Sequence, residues 1–345
     1  MSEITIQNQI QKINDFAKGY RASHVIDIGM MFGMLEALAV APEGMTPSEL
    51  ALKLMLYEPY IKIWCQTAYH FEILDSDERG GFRLQPFLDE ILGLGMSLSQ
   101  YPIRAEQPDE SQISPEYEPP LTGFIRFGRT VRTGKTPDAS FGTYRGTFHL
   151  PTIFSSLIFP ENKDIKDRLE QGIKFLDIGC GSGNLIIEFA RIFKNSIFKG
   201  IDPDYYGIES AERVISDLGL EDRITVEDMS GEEMNFHDEF ELASLILTLH
   251  EVIPDVRMEV LTRAYQALKP GGRLIVLDYP YPDQLEDFRN PVYNYGIIEQ
   301  YFEAINGIVH LSGEQQDKLL REAGYRKIRR TRVANDMFDF ITADK

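Results

Sequence analysis

The sequence predicts an α/β protein: a doubly wound, mostly parallel sheet of seven strands, preceded by a mainly helical N-terminal domain. Three observations predict it. From about residue 172, apolar runs alternate with amphipathic stretches of helical length. A glycine-rich turn, "DIGCGSGN", closes the first of those runs and opens the next amphipathic stretch. Residues from about 20 to 95 read instead as helices followed by a small hairpin.

The chain has 345 residues, enough for two domains and a bridge. Composition shifts divide it into a helical domain over 1–100, a linker with bridging helices over 101–165, and a ligand-binding domain over 166–345. A hydrophobic fraction of 43% with 11% aromatics supports a sizeable core. The formal charge of −19 argues against nucleic acid or an anionic membrane as partner, since both recruit clustered Lys and Arg. Only Cys65 and Cys180 occur, far apart, so no disulfide framework or Cys-based zinc site follows and no metal is expected. That usage suits a reducing cytoplasm. The N-terminus, "MSEITIQNQIQKINDF", lacks the layout of a signal peptide. Asp27, Glu36 and glycines interrupt the longest apolar stretch, so no membrane span is expected.

Element by element, "SHVIDIGMMFGMLEALAV" reads as a helix apolar on nearly every face, more than a surface helix requires. Thr46, Pro47 and Glu49 form a capping box for the next helix, "PSELALKL". A third helix over roughly Pro59 to Ile73 leads into "LDSDERGGFRLQ", a Gly-Gly turn between two short strands. This is a winged-helix order. The helix that would read DNA, "EPYIKIWCQTAYHF", carries one Lys, and the wing is acidic, so DNA binding is not expected. "AEQPDESQISPEYEPP" is acidic and Pro-rich, a surface loop, and "GFIRFGRTVRTGKTPDASFG" bridges it to the sheet.

The strands of that sheet are "KFLDIG", "FKGID", "ITVEDM", "LASLILTL" and "RLIVLDYP", with two more in "YRKIRRTRV" and "MFDFITAD". Ligands in such sheets bind at the carboxyl ends of strands, where the glycine turn falls. Gly179, Gly181 and Gly183 fail the G-x-G-x-x-G spacing of a dinucleotide site in both registers, and no Lys follows for a phosphate loop. Asp177 precedes them, giving D-x-G-x-G-x-G. An acid there repels a pyrophosphate but attracts an ammonium or sulfonium group, which points to S-adenosylmethionine.

The stretch resembles motif I of class I S-adenosylmethionine-dependent methyltransferases. The resemblance implies S-adenosyl-L-methionine as cofactor and S-adenosyl-L-homocysteine as product, held by Asp177, Gly179, Gly181 and Gly183. Asp202, nineteen residues past Gly183 in "GIDPD", can accept both ribose hydroxyls and matches the family's ribose-binding acid, with Pro203 beside it. Asp228 and Met229 match its adenine-binding positions. "ALKPGGRLIV" resembles the family's turn before the fifth strand. The N-terminal domain is similar to the dimerisation domain of small-molecule O-methyltransferases, which implies a homodimer and gives the over-apolar first helix a partner.

Methyl transfer to a hydroxyl needs a positioned acceptor and a base near neutrality, and His is that side chain. The resemblance places the general base at His250, in "LTLHEVIPD", and its orienting acid at Asp278. The family's second supporting acid should lie near "GIVHLSGEQQDKLL", where this sequence has His310. Two histidines and one shorter acid fit either a rearranged base or a site that uses no base. Tyr279, Tyr281, Phe288, Tyr293, Tyr295, Tyr301 and Phe302 form an aromatic stretch that is either the wall of a pocket for a small hydrophobic acceptor or helix-to-sheet packing. The remaining histidines receive no role. Carbon or nitrogen methylation, a non-methylating use of the same cofactor, and a non-catalytic winged-helix regulator are the competing readings.

Overall fold

A computed structural model describes residues 4–77, 79–88, 120–130 and 136–345. The acidic loop, except Pro120, and the boundary expected near residue 100 lie outside the described residues. Contacts divide the chain into two units, Met1–Val131 with Gln284–Gly307, and Arg132–Asp283 with Ile308–Lys345. The segment 284–307, read from sequence as part of 166–345, thus packs with the N-terminal unit. His70 shows why: its ring nitrogens lie 2.6 Å from the Phe288 carbonyl and 3.0 Å from Asn294 Oδ1.

In the first unit, α1 (Ile6–Met31) starts at a Thr5 cap and α2 (Met34–Ala39) follows it. The sequence suggested one helix here, but Gly33 at φ 72° breaks it. Gly29 lets α1 cross α4 (Glu58–His70) closely, because a Cβ there would lie 2.6 Å from the Trp64 ring. Trp64 Nε1–H then donates to the Val25 carbonyl at 2.9 Å. Between them, α3 (Pro47–Leu54) has the expected capping box, with Glu49 N–H donating to Thr46 Oγ1 and Thr46 N–H to Glu49 Oε2. Strands β1 (Leu74–Ser76) and β2 (Phe82–Leu84) pair antiparallel. Helix α5 (Pro120–Phe127) belongs to this unit as well.

The second unit opens with α6 (Pro137–Thr147), then α7 (Leu150–Ile153), which passes through a π-helical turn at Phe154–Ile158 into α8 (Phe159–Glu161). After α9 (Lys163–Gln171), strands and helices alternate: β3 (Lys174–Ile178), α10 (Asn184–Ile192), β4 (Ile197–Asp202), α11 (Tyr205–Asp217), β5 (Ile224–Asp228), β6 (Phe240–Ile246), α12 (Pro254–Ala267) and β7 (Leu268–Asp278). Segment 284–307, with α13 (Asn294–Glu303), intervenes before α14 (Gly313–Glu322), β8 (Arg326–Val333) and β9 (Phe338–Asp344). The seven strands lie in the order β5-β4-β3-β6-β7-β9-β8. All neighbours run parallel except at β9, which is antiparallel to β7 and β8.

Both faces of the central strands are buried. Phe175 of β3 packs with Phe154, Phe189 and Phe198 on one face, and its neighbour Leu176 packs with Leu245, Val260 and Leu261 on the other. That explains strands that read as continuous apolar runs. Removing one such ring, as in Phe189→Ala, costs about 3–5 kcal/mol. The order of connections reverses between β3 and β6, so their carboxyl ends diverge into a crevice.

Candidate active site

The glycine turn leaves β3 with Gly179 N–H and Cys180 N–H both donating to the Ile201 carbonyl of β4, at 2.8 and 3.0 Å. Its three glycines all adopt positive φ, 76°, 52° and 73°. They do different things. A Cβ on Gly179 would lie 2.4 Å from the Thr248 methyl, so this glycine admits the chain leaving β6. A Cβ on Gly183 would press on Ile187 and Ala211 at 3.2 and 3.3 Å, so this one seats α10 on α11. Only Gly181 faces open space, with nothing within 4 Å of the added atom.

Beside that open side lies Asp202, buried at the end of β4. Its Oδ2 accepts Gly181 N–H and its Oδ1 accepts Asp204 N–H, both at 2.8 Å. Each oxygen keeps a second lone pair for a hydroxyl. Register pairs Asp202 with Asp228 at the end of β5, and Met229 N–H donates to the Asp202 carbonyl. Asp228 and Pro203 are exposed and Met229 is half-buried. The bare face at Gly181 and the anchored carboxylate fit the ribose-bearing cofactor that the sequence suggested.

Asp177, the acid that precedes the glycines, belongs to the strand and not to the turn. It is buried within β3 and accepts the Ser244 hydroxyl of β6 at 2.6 Å. Burial, aided by the charge of Asp202, pushes its carboxyl up to about 7 despite the Ser244 bond. Sequence reading also missed Asp204, which is buried with its two oxygens 2.7 and 2.6 Å from Ser140 Oγ of α6. No local pattern links residues that far apart.

On the other side of the crevice, β6 is followed by Leu247 at φ 54°, a conformation that costs a branched side chain roughly 1–2 kcal/mol. Leu247 N–H donates to the Leu277 carbonyl at 2.7 Å, which holds the turn against β7. The turn sets His250 over Asp278. His250 Nδ1–H donates to Asp278 Oδ1 at 2.5 Å, and His250 N–H donates to Oδ2 at 3.2 Å. With the proton on Nδ1, the ring's lone pair is on Nε2. Burial alone would raise the Asp278 carboxyl, but the His250 ring and its bond, with His310 and the Tyr279 N–H, hold it below the usual range.

His310 comes from the segment before α14 and lies against His250, ring centroids 4.5 Å apart at 37°. Burial, with the neighbouring His250 and Arg257, pushes its imidazole down to about 3, against the pull of Asp278. Tyr279 lies 5.8 Å from the His250 ring and Tyr281 5.6 Å from His310. The rest of the aromatic stretch divides: Phe288 and Tyr301 are buried within the first unit, as packing. The three residues expected to act on the acceptor are therefore together, as are the glycine turn and Asp202.

The family described as a methyltransferase domain matches residues 175–272. With the seven-stranded sheet, this defines a class I S-adenosylmethionine-dependent methyltransferase domain whose cofactor is S-adenosylmethionine. In the order of its parts the chain resembles small-molecule O-methyltransferases. An O-methyltransferase family 2 protein of Planctomyces limnophilus, solved in complex with apigenin, matches 97% of this chain and 96% of its own at a TM-score of 0.67 and 14% identity. Among curated proteins, a 27-O-demethylrifamycin SV methyltransferase of Amycolatopsis mediterranei is 31% identical over 45% of this chain and 55% of its own. A tRNA N(3)-methylcytidine methyltransferase of Schizosaccharomyces pombe is 30% identical over 41% of this chain and 48% of its own. The chain spans about half the length of these curated relatives. Among the described residues, no helix is long and apolar enough to cross a membrane.

Proposed function

We propose that the protein transfers a methyl group from S-adenosylmethionine to oxygen on a small aromatic or hydrophobic acceptor in the cytoplasm, as a homodimer joined through its N-terminal domain. The observation that carries this reading is the His250–Asp278 pair at the ends of adjacent parallel strands. When bound, the cofactor supplies a methyl carbon already activated by its sulfonium. Gly181, Asp202, Asp228 and Met229 hold it, with Pro203 at the rim. Asp177 and Gly179 shape the strand end behind it, and Gly183 seats the helix that follows. On the acceptor side, Asp278 fixes the His250 tautomer, and Nε2 takes the proton of the acceptor hydroxyl. His310 stays neutral beside the ring and, with Tyr279 and Tyr281, lines the His250 side of the acceptor site with aromatic rings.

A formal charge of −19 argues against a tRNA acceptor, although one relative bears that name. Incubation with methyl-labelled cofactor and a panel of small phenols tests the reading. Label should appear in aryl methyl ethers, and its absence across the panel would sink the oxygen assignment. One observation favours a second reading. His310 occupies the place of a second supporting acid and cannot supply a negative charge, which suits methylation of carbon or nitrogen without a base. In that case label should appear on carbon or nitrogen acceptors, and His250→Ala should retain turnover.

A further inference from the structure

Arg257, on the first turn of α12, is buried, with 3% of its surface exposed. Its hydrogen bonds go to main-chain carbonyls and not to a carboxylate. Nε–H donates to the Val252 carbonyl at 2.9 Å, and Nη2 donates to the His250 carbonyl at 3.1 Å and the Val309 carbonyl at 2.8 Å. Burial pushes the guanidinium down to about 10, against the opposing charge of Asp278. It therefore stays charged near neutrality.

Burying a cation is costly unless its hydrogen-bonding demands are met. The same helix fills its inward positions farther along with Val260, Leu261 and Ala264. A well-packed apolar side chain could serve stability at position 257 as well as an arginine does. What an apolar side chain could not do is join two chain segments more than fifty residues apart. One carries His250, and the other ends at Val309, the residue before His310. A planar fork with several fixed donors suits that task, and an ammonium on a flexible stem does not.

We infer that Arg257 is a positioning residue for acceptor chemistry. It clamps the carbonyls of His250, Val252 and Val309, and so sets His250 against His310 and over Asp278. The inference rests on the reading of His250 as the residue that meets the acceptor, but its test does not depend on turnover. The full chain has six histidines, so protein labelled with carbon-13 at histidine gives six ring signals. His250→Ala and His310→Ala assign two of them. In Arg257→Met and in Arg257→Lys, the His250 and His310 signals should both move, with the other four unchanged and cofactor affinity within about twofold of wild type.

Retention of both signals in Arg257→Met would overturn the inference. Retention in Arg257→Lys would overturn it too, because charge without the fork would then suffice. Movement of all six signals with loss of the thermal transition in both variants would mean that Arg257 serves general stability, again against the inference. Separately, His250→Ala with full methyl transfer would remove the base assignment and leave the clamp standing.

Discussion

His250 and Asp278 are joined twice, through the ring Nδ1–H and through the backbone N–H of the histidine, each to a different oxygen of one fully buried carboxylate. A carboxylate held in this way orients the ring and favours its charged form at the same time. It also binds the chain segment from which the ring projects. Losing the acid should therefore disturb more than the basicity of Nε2.

His250→Ala is expected to lower turnover about 100- to 10,000-fold, the range for a positioned general base. Cofactor affinity should barely change, because Gly181 and Asp202 belong to other loops. Asp278→Asn keeps the shape of the acid and should lose less turnover than His250→Ala. Steady-state kinetics on both variants, with calorimetric titration of the cofactor, check this. Near-normal turnover in His250→Ala would make the histidine a packing residue.

Asp202→Ala should weaken cofactor binding by roughly 2–4 kcal/mol through loss of a charged, two-point acceptor. It also strips a partner from Gly181 N–H and Asp204 N–H. The melting temperature should therefore fall along with affinity. Unchanged affinity by calorimetry would move the cofactor away from the end of β4.

The different surroundings of Gly179 and Gly181 separate fold from ligand. Gly179→Ala would drive a methyl into Thr248 and should destabilise the fold more than Gly181→Ala, which meets no neighbour. Gly181→Ala should cost about 1–2 kcal/mol for its left-handed conformation and, unlike Gly179→Ala, should lose cofactor affinity out of proportion to stability. Gly181→Val should be worse on both counts. Thermal melts and titrations of the three variants decide the matter.

Asp177 gives a pH dependence with a definite sign. Its carboxyl is raised from 3.8 to about 7 in the folded chain. The stability contributed by its protonated form is present below about pH 4 and is lost as pH rises towards 7. Asp177→Asn cannot ionise, so its melting temperature should gain on wild type across that interval and keep the gain above it. At about 2–4 °C per kcal/mol for a domain of this size, the gap should be measurable by calorimetry. Parallel melting curves from pH 4 to 8 would contradict this.

Dimerisation can now be aimed at particular residues. Ile6, Ile10, Ile13, Phe16 and Tyr20 form an exposed apolar stripe on α1, between 55% and 77% accessible. Met31 is outward at 48%, while Met34 is fully buried. Ile10→Lys with Phe16→Lys should convert a dimer to a monomer in sedimentation, whereas Met34→Lys should unfold the first unit. A wild-type chain that sediments as a monomer at micromolar concentration would end the proposal.

Much of what depends on short-range geometry was legible in the sequence, although the break between α1 and α2 at Gly33 was not. Apolar runs of strand length between amphipathic segments specified the sheet and its helices, because a strand buried on both faces has no other composition open to it. Thr46 and Glu49 marked a helix start, since a capping box closes within four residues. D-x-G-x-G-x-G placed the cofactor end of the sheet. The stripe on α1 is present in the sequence as apolar residues spaced three and four apart, but the polar residues between them hid it.

Tertiary structure decided what depends on partners distant in the chain. Sequence could not say that Gly179 exists for Thr248 and only Gly181 faces open space, because the difference lies in a side chain about seventy residues away. It could not pair Asp204 with Ser140 or bring His310 against His250. Nor could it show that segment 284–307 leaves the catalytic unit, or that a buried arginine ties the two histidine segments together. Such contacts form only after loops of tens of residues close, and the cost of closing a loop grows so slowly with length that composition alone cannot rank the candidates.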